Sequence, residues 1–132
     1  MNSLTYKFND QNNNVVFRVE TNDIQQLLLQ IGFPQHVYGY NYTLYALELI
    51  LLDPDMLNHM TKELYPEIAK HFNSTPVDVL RAIRIATYFT WLHGNYKTIN
   101  TIFGSVIKGL PTNTQLLAGL YYHIKNNTEQ TI

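Results

Sequence analysis

A chain of 132 residues, 45% of them apolar, can enclose one compact core and is too short for two ordinary domains. It contains no cysteine, which excludes a disulfide framework and a thiolate metal site and fits a reducing cytoplasm. A net charge of −1 argues against a generic polyanion binder, whose affinity would come from neutralising phosphates.

The amino end, MNSLTYKFNDQNNN, is polar and has no apolar core of a signal peptide, and the apolar run Leu49 to Leu52 is far shorter than a membrane span. A soluble, cytoplasmic protein is expected. Leu4 to Phe8 and Val15 to Glu20 are rich in β-formers, and the Asn/Asp/Gln segment between them has turn composition, so residues 1–22 read as a β-hairpin. A lone hairpin is marginal in water, so it must pack on the helices or pair with another chain.

Residues 23–127 read as a helical bundle, followed by a frayed tail, 128–132. Ile24, Leu27, Leu28 and Ile31 recur at helical spacing, with Gly32 as a stop. Tyr42 to Leu52 is apolar nearly all round, which places it centrally, and Asp53-Pro54 ends it. Leu64, Tyr65, Ile68, Ala69 and Phe72 form one face of the next helix, leaving Glu67, Lys70 and His71 to water. Asn73 stands where a left-handed residue is needed, and Thr75-Pro76-Val77-Asp78 supplies an N-cap hydroxyl, a proline at N1 and a carboxylate at N3. Two helices joined by so tight a turn form a helix-turn-helix. On the second, Val79, Ala82, Ile83, Ala86 and Thr90 share one side, and Val77, Arg81, Arg84, Ile85 and Tyr88 the other. The small alanines are expected to sit under the first helix of the pair. Gly94 then breaks the chain, and Asn95 caps a helix carrying Ile99, Ile102 and Phe103 and closed by Gly104. A last helix from Thr112 or Asn113 carries Leu116, Leu117, Leu120, Tyr121 and Ile124.

An outward face with two arginines one turn apart, flanked by Val and Tyr, suits a DNA major groove, where guanidinium forks read guanine edges and apolar groups meet thymine methyls. Spacing alone leaves an ordinary bundle with a solvated arginine face equally open. The charge distribution adds a modest signal. Residues 60–108 hold six basic against three acidic residues, or +3, and residues 1–59 two against six, or −4.

The chain resembles the C-terminal effector domain of stage zero sporulation protein A, a response regulator. The resemblance runs through Ile31-Gly32, Pro34, His36, Gly39-Tyr40-Asn41-Tyr42, Asp53-Pro54, Thr61-Lys62, Leu64-Tyr65-Pro66, Ile68-Ala69-Lys70 and Phe72-Asn73. It is densest at Arg81-Ala82-Ile83-Arg84 and continues through Ala86, Trp91, Gly94-Asn95, Ile99, Phe103-Gly104 and Pro111-Thr112-Asn113. It implies an all-helical domain whose second helix-turn-helix helix enters the major groove and which pairs with a second copy on tandem DNA sites. Leu80 and Ile85 stand where the family pattern has an acidic residue and a histidine, and Val77 and Asp78 where it has a polar and a basic one, so the family's operator is not carried over. The short amino-terminal segment occupies the place of a receiver domain, so control by the chain's own phosphorylation is not expected.

The expected DNA-binding residues are Arg81, Arg84, Val77, Ile85 and Tyr88 on the second helix, Ser74 and Thr75 at its start, and Lys70 and Lys97 as phosphate contacts. Expected partners are double-stranded DNA, a second copy at least on DNA, and RNA polymerase or a related regulator, with no membrane. No catalytic residue, metal or cofactor is expected. The five histidines lie in different elements without ligand spacing, Asp53 and Asp55 read as turn and cap residues, and Ser3, Ser74 and Ser105 lack a nucleophile context. The other reading is a protein-interaction module of the same fold, using Val77, Leu80, Ile85 and Tyr88, or the hairpin, to hold a partner regulator.

Overall fold

The structure, a computed structural model, describes residues 5–9, 15–104 and 109–128. Strands β1 (Thr5–Asn9) and β2 (Val15–Glu20) pair antiparallel, with Thr5 opposite Glu20, Phe8 opposite Phe17 and an irregularity before Asn9. The turn expected between them lies outside the described residues, as does the tail from residue 129. The pair rests on the helices of its own chain: β2 lies against the first and last helices, β1 against the second, and Val19 is fully buried.

Six α-helices follow among the described residues: α1 (Thr21–Ile31), α2 (Tyr38–Leu52), α3 (Tyr65–Phe72), α4 (Pro76–His93), α5 (Tyr96–Phe103) and α6 (Asn113–Thr128). The fold is thus the expected mainly helical bundle with a short amino-terminal strand pair. At the start of α1 the Glu20 N–H donates to the Asp23 carboxylate at 3.1 Å, satisfying one donor of the helix end. Gly32 closes it in the left-handed region, φ 82°. α2 is central as expected, packing on α1, α3, α4 and α6 and burying Ala46, Leu47, Ile50 and Leu51. It begins at Tyr38, one turn earlier than the apolar pattern indicates, because that turn contains Gly39, which a propensity argument sets outside a helix.

The reason for Gly39 is the crossing of α2 over α4. A Cβ at residue 39 would lie 2.4 Å from the Ala82 carbonyl oxygen and 2.8 Å from the Ala86 Cβ. The element that crosses the two alanines closely is therefore α2, where α3 is the expectation. Between α2 and α3 the chain makes a 3-10 turn, Pro54–Asn58, and a π-helical turn, Met60–Leu64, in which the Leu64 N–H donates to the His59 carbonyl at 3.0 Å. Neither follows from the sequence pattern. The Asp53 carboxylate caps the first of them, accepting from the Asp55 N–H at 3.2 Å, as its turn position implies.

α5 and α6 begin as expected. The Asn95 side chain accepts from the Thr98 N–H at 3.2 Å, and Thr112 and Gln115 exchange a reciprocal capping pair at 2.9 and 3.0 Å. Leu116, Leu117, Leu120, Tyr121 and Ile124 are all buried. His123 lies in a groove between α1 and α6 with Asp23, Gln26 and Asn127, and partial burial holds its pKa below the usual histidine value. Protonation therefore favours the unfolded chain, so this contribution is present above the unfolded pKa and is lost as pH falls below about 6.5. Thermal unfolding midpoints should drop between pH 7.5 and 5.5, and His123→Gln should flatten part of that drop. No helix among the described residues is long and apolar enough to cross a membrane.

Candidate nucleic-acid interface

The site is built around the turn between α3 and α4. Asn73 takes the left-handed conformation, φ 54°, as its position after the last apolar residue requires, and the Ser74 N–H donates back to the Ala69 carbonyl at 2.8 Å. Thr75 is extended, and its hydroxyl accepts from the Asp78 N–H at 3.2 Å, capping α4 ahead of Pro76. Four residues thus fix how α4 leaves α3.

The inner face of α4 buries Val79, Ile83, Ala86, Thr87 and Thr90. The two threonine hydroxyls donate one turn back, to the Ile83 and Ala86 carbonyls at 2.7 and 2.8 Å, so no polar group is left open there. The outer face exposes Val77, Leu80, Arg81, Ile85 and Tyr88, the division expected from the helical period. Among the described residues nothing hydrogen-bonds to or ion-pairs with Arg81.

Arg84 is placed differently. It is half-buried, and its guanidinium donates to the Pro111 carbonyl on the segment leading into α6. Two residues on, the Asn113 amide donates to the Leu80 carbonyl and the Tyr65 hydroxyl, each at 3.1 Å. Both helices of the motif are thereby tied to α6, and burial of the Tyr65 phenol pushes its pKa up, partly offset by the Asn113 bond. One Arg84 donor thus has an internal structural role. Arg84→Ala should lower stability by about 1.5 kcal/mol, the range for a hydrogen bond from a charged donor, whereas Arg81→Ala should stay within about 0.5 kcal/mol of the parent. Urea midpoints of the two variants check this.

The remaining expected residues divide into two places. Ser74, half-buried, Thr75 and Lys70, both exposed, gather at the turn. Lys97 is exposed in the first turn of α5, beyond the far end of α4, whose 18 residues rise about 27 Å. α5 packs on α1 and α6, so Lys97 is not brought together with the turn. His71 is exposed, as expected, and stacks on Tyr45 with ring centroids 4.1 Å apart. Phe72, expected inside, is partly exposed and meets Tyr42 and Tyr45 edge-on. Phe89 and Leu92, absent from the expected set, are as exposed as Tyr88 on the same face, and their spacing of four and seven from Ile85 is the signal for them in the sequence. No group of three or more His, Cys, Asp or Glu residues that could hold a metal occurs among the described residues.

A helical bundle presenting a capped helix-turn-helix with an exposed arginine on its second helix has the form of a DNA-binding regulatory domain, a form that ordinary bundles share. The family model described as sporulation initiation factor Spo0A C terminal matches residues 24–124, and the chain belongs to that family. The family is the DNA-binding effector domain of sporulation control, a regulatory rather than an enzymatic one.

Proposed function

We propose that this chain is a sequence-selective transcription regulator that acts on double-stranded DNA in the cytoplasm, with α4 in the major groove and two copies on adjacent sites. The observation that carries the reading is the exposed, unengaged Arg81 on the outer face of the second helix of a family-typical helix-turn-helix. Val77, Ile85 and Tyr88 flank it for apolar contact with base edges, and the second guanidinium, Arg84, keeps donors beyond the one given to Pro111. Ser74, Thr75 and Lys70 stand at the amino-terminal end of α4, where phosphate contacts set register, and Lys97 would touch phosphate only on a longer path of DNA. Asp78, in the first turn of α4, opposes phosphate there, so affinity rests on base contacts more than on charge.

The direct experiment is selection of preferred sites from a random duplex pool at low ionic strength, followed by binding to the selected and scrambled sequences. A selected site bound at least a hundredfold more tightly than the scramble supports the proposal. Equal binding to both, or none, contradicts it. A second reading, a module that holds a partner regulator in place of DNA, is favoured by the apolar character of Leu80, Ile85 and Tyr88. Under that reading Leu80→Asp abolishes capture of the partner while no duplex is bound.

A further inference from the structure

The outer face of α4 continues beyond the residues assigned to DNA. Asp78, Arg81, Ile85, Tyr88 and Leu92 follow one another at steps of three, four, three and four, the 3.5-residue repeat of a seam between two helices, with Phe89 beside it. The amino-terminal end of this seam is charged. The carboxyl-terminal end is not: Ile85, Tyr88, Phe89 and Leu92 are 62%, 54%, 52% and 58% exposed. Large side chains left half open contribute on the order of 100 Å² each, so the patch is about 400 Å², within the range of the largest patch on a monomer, which is often functional.

We infer that a second copy of this chain covers the patch, through an antiparallel, two-fold pairing of α4 with α4, and that the pairing masks the face that reads DNA. Because the patch carries no charge, its complement is another uncharged helical face with large side chains. α4 itself carries one, whereas α6 buries Leu116, Leu117, Leu120, Tyr121 and Ile124 in its own core. With Tyr88 and Phe89 at the two-fold axis, Ile85 meets the Leu92 of the second copy, and both Arg81 side chains stay outboard of the apolar contact. With flanking residues the pair buries roughly 1,000 Å² in total, the size of a weak, transient interface, so it forms at micromolar concentration and parts on dilution. The masking rests on the DNA reading proposed above. In this pairing the two Arg81 residues are about 22 Å apart along the helix axes, short of the roughly 34 Å between successive major-groove faces, and Ile85 and Tyr88 are covered. DNA and the second copy therefore compete for α4.

The chain has no cysteine, so a single introduced one reports the pairing directly. Phe89→Cys places a thiol near the axis, and Tyr122→Cys places one at an equally exposed site on α6. On mild oxidation at micromolar concentration, Phe89→Cys should give mostly covalent dimer and Tyr122→Cys little. The locked dimer should bind a selected duplex at least tenfold more weakly than the same chain after reduction. In sedimentation, the unmodified chain should show a dimer that Leu92→Glu removes without changing the helical signal. Equal cross-linking by both variants, or a monomer throughout for the unmodified chain, overturns the pairing; a locked dimer that binds duplex as well as the reduced chain overturns the masking. If the reduced and unmodified chains bind no duplex at any salt concentration, the DNA reading fails and the masking with it, while the cross-linking contrast still decides the pairing.

Discussion

Gly39→Val should destabilise the fold by about 3 kcal/mol or more, the upper range for side chains forced into a packed contact. The atom it meets is the Ala82 carbonyl oxygen, part of the α4 backbone, which cannot swing aside as a side chain end would. Either α2 lifts from α4, opening the contact over Ala86, or α4 bends where it presents Arg81. For a domain of this size the loss corresponds to a fall of roughly 10 °C in the unfolding midpoint, a large share of the 5–15 kcal/mol that holds an ordinary domain folded. The sequence already bears a cost at this position, since glycine inside a helix is about 1 kcal/mol worse than alanine. Ala86→Leu should act from the other side of the same contact, costing about 1–3 kcal/mol. Asn41→Ala, exposed on the same helix, should change little and serves as the control. Urea midpoints for the three variants separate the cases, and an unchanged midpoint for Gly39→Val would mean that the two helices do not touch there.

The local geometry of the interface was legible in the sequence because it is set by neighbours in the chain. Asn73, Thr75, Pro76 and Asp78 fix the turn within six residues, and the helical period separated Val79, Ile83 and Ala86 from Val77, Arg81 and Ile85. What the sequence did not show depends on distant partners. The carbonyl that engages Arg84 is 27 positions away, and the hydroxyl that Asn113 reaches is 48 positions away. Periodicity identifies which face of α4 is inside and says nothing of which helix covers it, so α2 was missed as the element over Ala82 and Ala86. The link from Pro54 to Leu64 was missed for a different reason: its 3-10 and π turns have no 3.6-residue repeat to read. At Phe72 the period overstated burial: both Phe72 and His71 are exposed at the rim of α3, where they rest on the rings of Tyr42 and Tyr45.

The effector-domain family to which the chain belongs is a DNA-binding one, and under the proposed function the side chains on α4 are what reads the duplex. Four apolar residues and one free guanidinium make a reading surface unusually poor in charge. Binding to random DNA should accordingly be weak and should vanish early as salt rises, because few counterions are released. Discrimination then falls on Arg81, whose fork can take two guanine acceptors at once, a contact that discriminates by about 1–3 kcal/mol.

The most direct test is a titration at low ionic strength of a selected duplex and its scramble with the parent chain, Arg81→Ala and Lys70→Ala. Arg81→Ala should weaken the selected site by roughly tenfold or more and the scramble much less, which is a loss of choice. Lys70→Ala should weaken both alike and lower the salt slope by about one unit, the mark of a lost phosphate contact. If Arg81→Ala instead leaves the preference for the selected site unchanged, α4 does not read DNA through its one unengaged arginine, and the assignment of this face is wrong.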